Sequence, residues 1–155
     1  MSTYITRTLE HAIARALKTF PAILVTGPRQ SGKTTLLQKL FAKTHRHVSL
    51  ENSEQRARCL ADPLAFLATN PPPVILDEAQ YVPDLLHYIK SAIDTQRKPG
   101  QWILSGSQNF ALMQNASQSL AGRCAVLSLL PFANEEIFSE KPRTLDEILA
   151  EKFEA

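Results

Sequence analysis

At 155 residues with 44% hydrophobic content, the chain is long enough for one domain with a sizeable core. A net charge of +2 and an isoelectric point near 8.6, with no Lys/Arg run longer than two residues, give no support for a nucleic-acid partner. No apolar run approaches the roughly 18 residues of a membrane span, no leader-like segment opens the chain, and Cys59 and Cys124 are too few for a disulfide framework, so a cytoplasmic protein with reduced thiols is expected.

Ile5, Leu9, Ile13 and Leu17 recur every four residues, which predicts an amphipathic helix that packs on a sheet and ends before Phe20-Pro21. Ala22-Ile23-Leu24-Val25 then reads as a buried strand, and Thr34 to Lys43 reads as a helix with Leu36, Leu37, Leu40 and Phe41 on one face. Between them, Gly27-Pro28-Arg29-Gln30-Ser31-Gly32-Lys33-Thr34 fits G-x-x-x-x-G-K-[ST]. Strand, loop and helix come in the order that a phosphate-wrapping loop requires. The two glycines let successive N–H groups turn inward into a concave oxyanion site, to which the helix adds its own N-terminal donors. Lys33 is expected to reach the β- and γ-phosphates of a nucleotide, and the Thr34 hydroxyl to ligate the bridging magnesium ion. The expected nucleotide-binding set is Gly27, Pro28, Arg29, Gln30, Ser31, Gly32, Lys33, Thr34 and Thr35.

His47-Val48-Ser49-Leu50 looks like a second strand, ended by Glu51 and Asn52. Ser53 to Ala68 reads as helical with a break at Asp62-Pro63, because the residue before proline is biased away from helical geometry. Asn70-Pro71-Pro72-Pro73 is a stiff turn into Val74-Ile75-Leu76, a short apolar run suited to a fully buried parallel strand. That run ends in Asp77-Glu78. Asp77 is placed to hold magnesium directly or through water, and Glu78 to orient or deprotonate an attacking water. His11, His45, His47 and His87 lack a Cys or third ligand for zinc and are taken as surface residues.

Asp84 is the expected N-cap of a helix whose stripe, Leu85, Ile89, Ala92 and Ile93, runs to about Asp94. Lys98-Pro99-Gly100 closes that unit. Trp102-Ile103-Leu104 makes a fourth strand that runs into Ser105-Gly106-Ser107-Gln108-Asn109, a polar, flexible edge of the kind that carries ligand contacts. A helix from about Phe110 follows, and Ala125-Val126-Leu127-Ser128-Leu129 is a fifth strand entered through Gly122-Arg123. Five strands alternating with helices specify an α/β three-layer sandwich with a mainly parallel sheet over residues 1–135, and the loop at Gly27 to Thr34 makes it a P-loop NTPase core by expectation. In the tail, 136–155, Thr144-Leu145-Asp146-Glu147 offers a capping box for a helix carrying Leu145, Ile148, Leu149 and Phe153 on one face. The core, another subunit or a further domain is expected to cover that face.

Together these residues identify a resemblance to the ATPase domain of prokaryotic AAA-type proteins, P-loop ATPases that usually carry a second, poorly characterised C-terminal domain. It rests on Gly27 to Thr35, Asp62-Pro63 with Phe66-Leu67, Val74 to Gln80, Leu104-Ser105-Gly106-Ser107, and Ser119-Leu120-Ala121-Gly122-Arg123. The resemblance implies a sheet ordered 5-1-4-3-2, with the tip of the fourth strand facing the γ-phosphate. It implies ATP with magnesium as ligand, and hydrolysis to ADP and phosphate coupled to conformational change. Ser107, or failing it Ser105, becomes a sensor of the terminal phosphate; the alternative is a loop of small residues capping the next helix. Arg123 is similar to family arginines that reach phosphate in the same chain or across an oligomer contact, and is otherwise a structural ion-pair partner. Because such proteins continue beyond the point where this chain stops, a truncated ATPase is expected, with weakened affinity if missing residues clamp the adenine. Two other readings stay open. A small-molecule kinase uses the same loop, although the Asp77-Glu78 pair favours water as acceptor, and a nucleotide-dependent interaction module needs no hydrolysis.

Overall fold

The computed structural model describes residues 4–107, 114, 116 and 118–138. Its elements are α1 (Leu9–Thr19), β1 (Ala22–Gly27), α2 (Lys33–Phe41), β2 (Arg46–Ser49), α3 (Ser53–Ala61), α4 (Pro63–Thr69), β3 (Val74–Asp77), α5 (Leu85–Thr95), β4 (Trp102–Ser107), β5 (Cys124–Ser128) and α6 (Asn134–Phe138), with a 3-10 turn at Ala79–Tyr81. The five strands form one sheet in the order β2-β3-β4-β1-β5, and every pairing is parallel. This is the order expected from the resemblance, read from the opposite edge.

Side-chain alternation along the central strands explains the three layers, since successive residues point to opposite faces and both faces are covered. Ile23, Val25, Ile75 and Ile103 meet Ile13, Leu36 and Leu37 from α1 and α2. Ala22, Leu24, Val74, Leu76, Trp102 and Leu104 meet Cys59, Phe66, Leu67, Leu86, Ile89 and Ile93 from α3, α4 and α5. The inner strands β1 and β3 are buried at every residue, whereas the edge strand β5 is only partly covered.

Local chemistry sets the boundaries. Asn52 caps α3 by accepting the Gln55 N–H at 3.0 Å. Asp62, held extended ahead of Pro63, caps α4 by accepting the Ala65 N–H at 2.9 Å. The expected break is therefore a second helix start. Asp84 occupies the N-cap of α5 but makes no side-chain capping bond.

Two expectations need correction. Ile5 precedes the first helix, which begins at Leu9 because the Arg7 N–H is already donated to the Glu10 carboxylate at 2.8 Å. Ser105, Gly106 and Ser107 are not a flexible edge but the last residues of β4, zipped to Val25, Thr26 and Gly27 of β1. Helix α6 is tied to the start of the chain, where Glu136 accepts from Arg7 and from the Thr8 N–H. Gln108-Asn109, the start of the helix near Phe110, and the capping box at Thr144 lie outside the described residues.

Ile89 is fully buried between α5 and the sheet. Ile89→Ala is expected to lower unfolding free energy by about 2–5 kcal/mol, through lost transfer energy plus a cavity, and denaturant titration with an unchanged m-value checks this.

Candidate nucleotide site

Parallel strands bring the C-terminal ends of β1, β3 and β4 to one edge of the sheet, where Gly27 faces Ser107 in register. The loop from Gly27 to Gly32 joins β1 to α2 there. Gly27 adopts φ +153° because the chain beyond β5 presses on it: a Cβ at this position would lie 2.1 Å from the Leu129 carbonyl oxygen. Leu129 N–H in turn donates to Thr26 O at 2.7 Å. Gly32 (φ +89°) makes the left-handed entry to α2, and Gln30 takes φ +63° at the exposed crest of the loop.

Lys33 is buried at the first position of α2. Its Nζ folds back to donate to Gly27 O at 3.1 Å and Pro28 O at 2.8 Å. Among the described residues no carboxylate pairs with it. A buried ammonium satisfied only by two carbonyls of its own loop is poised for a stronger, anionic partner. Ser31 Oγ, buried in the same loop, has no hydrogen-bond partner among the described residues.

Thr34 follows on the first turn of α2 and donates Oγ1 to Asp77 Oδ2 at 2.7 Å. Asp77, at the end of β3, also accepts from Ser105 Oγ of β4 at its other oxygen, and His47 Nε2 of β2 lies 3.3 Å from Oδ2. Burial pushes this carboxyl group's pKa up, but hydrogen bonds from His47, Ser105 and Thr34 outweigh it and hold the group below its ordinary value. Glu78 follows in a left-handed conformation, φ +59° and ψ +44°. That geometry costs a non-glycine residue roughly 1–2 kcal/mol and persists only where surrounding contacts impose it.

A family model described as an AAA domain matches residues 19–138. The chain belongs to the AAA domain family. Uncharacterized proteins of Mycobacterium bovis and Mycobacterium tuberculosis are each 38% identical to it over 119 residues, 76% of this chain. The chain spans about a quarter, 26%, of the length of these relatives. It carries a nucleotide-binding domain of AAA type, and no helix among the described residues is long and apolar enough to cross a membrane.

Within this AAA domain the expected site residues separate into two groups. Gly27 to Thr35, Asp77, Glu78 and Ser107 share the edge where β1, β3 and β4 end, with Pro28, Arg29, Gln30 and Thr35 exposed. Ser105 is fully buried and turned to Asp77, so it serves the carboxylate rather than facing a phosphate. Arg123 does not join the site: it precedes Cys124, which pairs with Ala22 at the N-terminal end of β1, the edge opposite the loop. Its Nε and Nη2 bind the two oxygens of Asp94 at 2.6 and 3.1 Å. Within the chain it is the ion-pair partner of Asp94.

Four partners were not apparent from sequence. His47, expected at the surface, is half-buried beside Asp77, and His45 is half-buried with Nε2 2.9 Å from Gly100 O. Gln80 contacts Glu78 and the Ser107 N–H. Arg7 is buried and donates to Ser31 O at 2.9 Å, Leu130 O at 2.6 Å and Glu136 at 3.0 Å. Its guanidinium lies 4.2 Å from the Phe132 ring centroid. The position of Gln80 two residues after Glu78 was the one local signal; the others depend on the folded chain. A cavity of about 260 Å³ opens beside Gly32 and Thr35, walled by Tyr4, Ile5, Leu36 and Phe132.

Gly27→Ala is expected to destabilise the fold and disorder the loop, since the new Cβ meets backbone that cannot swing away; thermal melting reads the first effect and nucleotide titration the second. Asp77 binds fewer protons folded than unfolded near its ordinary pKa of 3.8, so its stabilising contribution is present above that value and fades as pH falls through the lower folded value. The difference in unfolding free energy between the parent and Asp77→Asn should therefore change between neutral pH and about pH 3, with the parent losing ground on acidification.

Proposed function

We propose that this domain binds ATP with magnesium and hydrolyses it to ADP and phosphate. The observation that carries the proposal is the pairing of the Thr34 hydroxyl with the buried Asp77 carboxylate, 2.7 Å apart, beside a loop whose lysine has only carbonyls to bind. The donor set fits magnesium, a hard cation that is held by one or two protein oxygens together with phosphate oxygens and water. Thr34 and Asp77 would hold it. When bound, the ion neutralises charge on the β- and γ-phosphates.

The chain's own residues then divide the work. Inward N–H groups of the loop and the start of α2 orient the phosphates, and Lys33 exchanges its loop carbonyls for phosphate oxygens. Glu78, next in sequence to Asp77, accepts a hydrogen bond from the attacking water, and Ser107 faces the terminal phosphate from the tip of β4. In this reading the nucleoside lies in the cavity beside Thr35, where Tyr4 and Phe132 offer aromatic surface. Arg7 joins Ser31 of the loop to Leu130 and Glu136 after β5, which supports coupling of loop state to that segment.

Lys33→Ala is expected to lose about 2–5 kcal/mol of affinity for magnesium ATP by calorimetry. Glu78→Gln should retain parental affinity while turnover falls by roughly 10²–10⁴ in a phosphate-release assay. Hydrolysis at the parental rate in Glu78→Gln would sink the assignment.

A further inference from the structure

We propose that Gln80 is the positioning residue for Glu78, a rigid arm that fixes the carboxylate against the tip of β4; this rests on the hydrolytic reading above. The side chain bridges two groups. Its Oε1 accepts the Ser107 N–H at 3.2 Å, and its Nε2 donates to Glu78 Oε2. The orientation of the amide follows from chemistry. A backbone N–H can only donate, so it selects the carbonyl end of Gln80, and an ionised carboxylate can only accept, so it selects the NH₂ end.

Backbone geometry makes the arm stiff. Gln80 sits in the 3-10 turn, which is closed by Tyr81 N–H to Glu78 O and Val82 N–H to Ala79 O, both at 3.1 Å, and Ala79 is buried beneath it. Glu78 N–H points to Ser105 Oγ at 3.4 Å, and Ser105 in turn donates to Asp77. Both acidic residues thus take their positions from β4, whose last residue is level with Gly27 of the phosphate loop. With Oε2 held by Gln80, the remaining oxygen, Oε1, which has no partner among the described residues, is left to meet a water. A carboxylate that must stay in a left-handed turn and aim one lone pair needs such a second anchor.

Two substitutions separate this role from simple support of the fold. Gln80→Met keeps the length and removes both the carbonyl acceptor and the NH₂ donor of the amide. Gln80→Glu keeps an acceptor for the Ser107 N–H but places an oxygen against Glu78 where a donor stood. With the chain as described, steady-state ATP turnover and magnesium ATP affinity are measured for the parent and both variants. The expected result is a fall in kcat of about tenfold or more in each, with KM and the dissociation constant within about twofold of the parent. Parental or raised kcat in Gln80→Met overturns the proposal. So does parental kcat in Gln80→Glu, which would reduce Gln80 to an anchor for Ser107; this near-isosteric variant decides the matter if Gln80→Met fails to fold. A parent that binds magnesium ATP without turning it over removes the hydrolytic reading and this role with it, an outcome distinct from active variants of an active parent.

Discussion

The buried carboxylate of Asp77 is the constraint on which the site depends. A charge taken out of water at the end of a central strand must be met by donors, or it costs several kcal/mol. Three elements supply them: α2 through Thr34, β4 through Ser105 and β2 through His47. These hydrogen bonds hold the carboxylate in its charged form, and the hydroxyl of Thr34 stays 2.7 Å from it, within reach of the proposed cation. The register of β3 between β2 and β4 is what brings these groups within reach, and the hydrophobic layers on both faces hold that register.

A second anchor lies on the other side of the loop. Arg7 is almost entirely buried and spends its fork on Ser31 O, Leu130 O and the Glu136 carboxylate. Burial pushes the Glu136 carboxyl pKa up, yet the N–H groups of Thr8 and Ala133 together with Arg7 hold it below its ordinary value. A buried ion pair of this kind contributes little net stability over an apolar replacement, but removing one partner leaves an uncompensated charge. Its effect is to fix where the chain goes after β5. That path brings the Leu129 carbonyl against Gly27 and leaves no room there for a side chain. The loop is therefore clamped from below by backbone and from the side by a guanidinium.

Backbone conformations that cost free energy concentrate here as well. The non-glycine residues with positive φ among those described are Gln30, at the crest of the loop, and Glu78, beside Asp77. Both flank the place where a triphosphate is proposed to lie. Strain at such positions is sustained by neighbouring contacts, and for Glu78 these are Ser105 and Gln80.

Sequence alone determined the parts whose physics is local. The glycines and Lys33-Thr34 between an apolar run and a helical stripe specify strand, loop and helix, and the proline after Asp62 specifies the helix break, because the relevant forces act within a few residues. The uninterrupted apolar runs at Ala22–Val25 and Val74–Leu76 already required a sheet covered on both faces. Tertiary structure decided what depends on pairing between distant segments. Ser105-Gly106-Ser107 is polar and reads as a loop, but β1 offers it a ladder of backbone partners, and hydrogen bonding outweighs composition. His47 lies 30 residues from Asp77, Ser105 28 from Asp77, and Arg7 129 from Glu136, so no periodicity or motif could register those contacts. Arg123 shows the same limit from the other direction: the family resemblance suggested a phosphate contact, while the parallel direction of β5 places it at the far edge of this chain's sheet and within reach of Asp94.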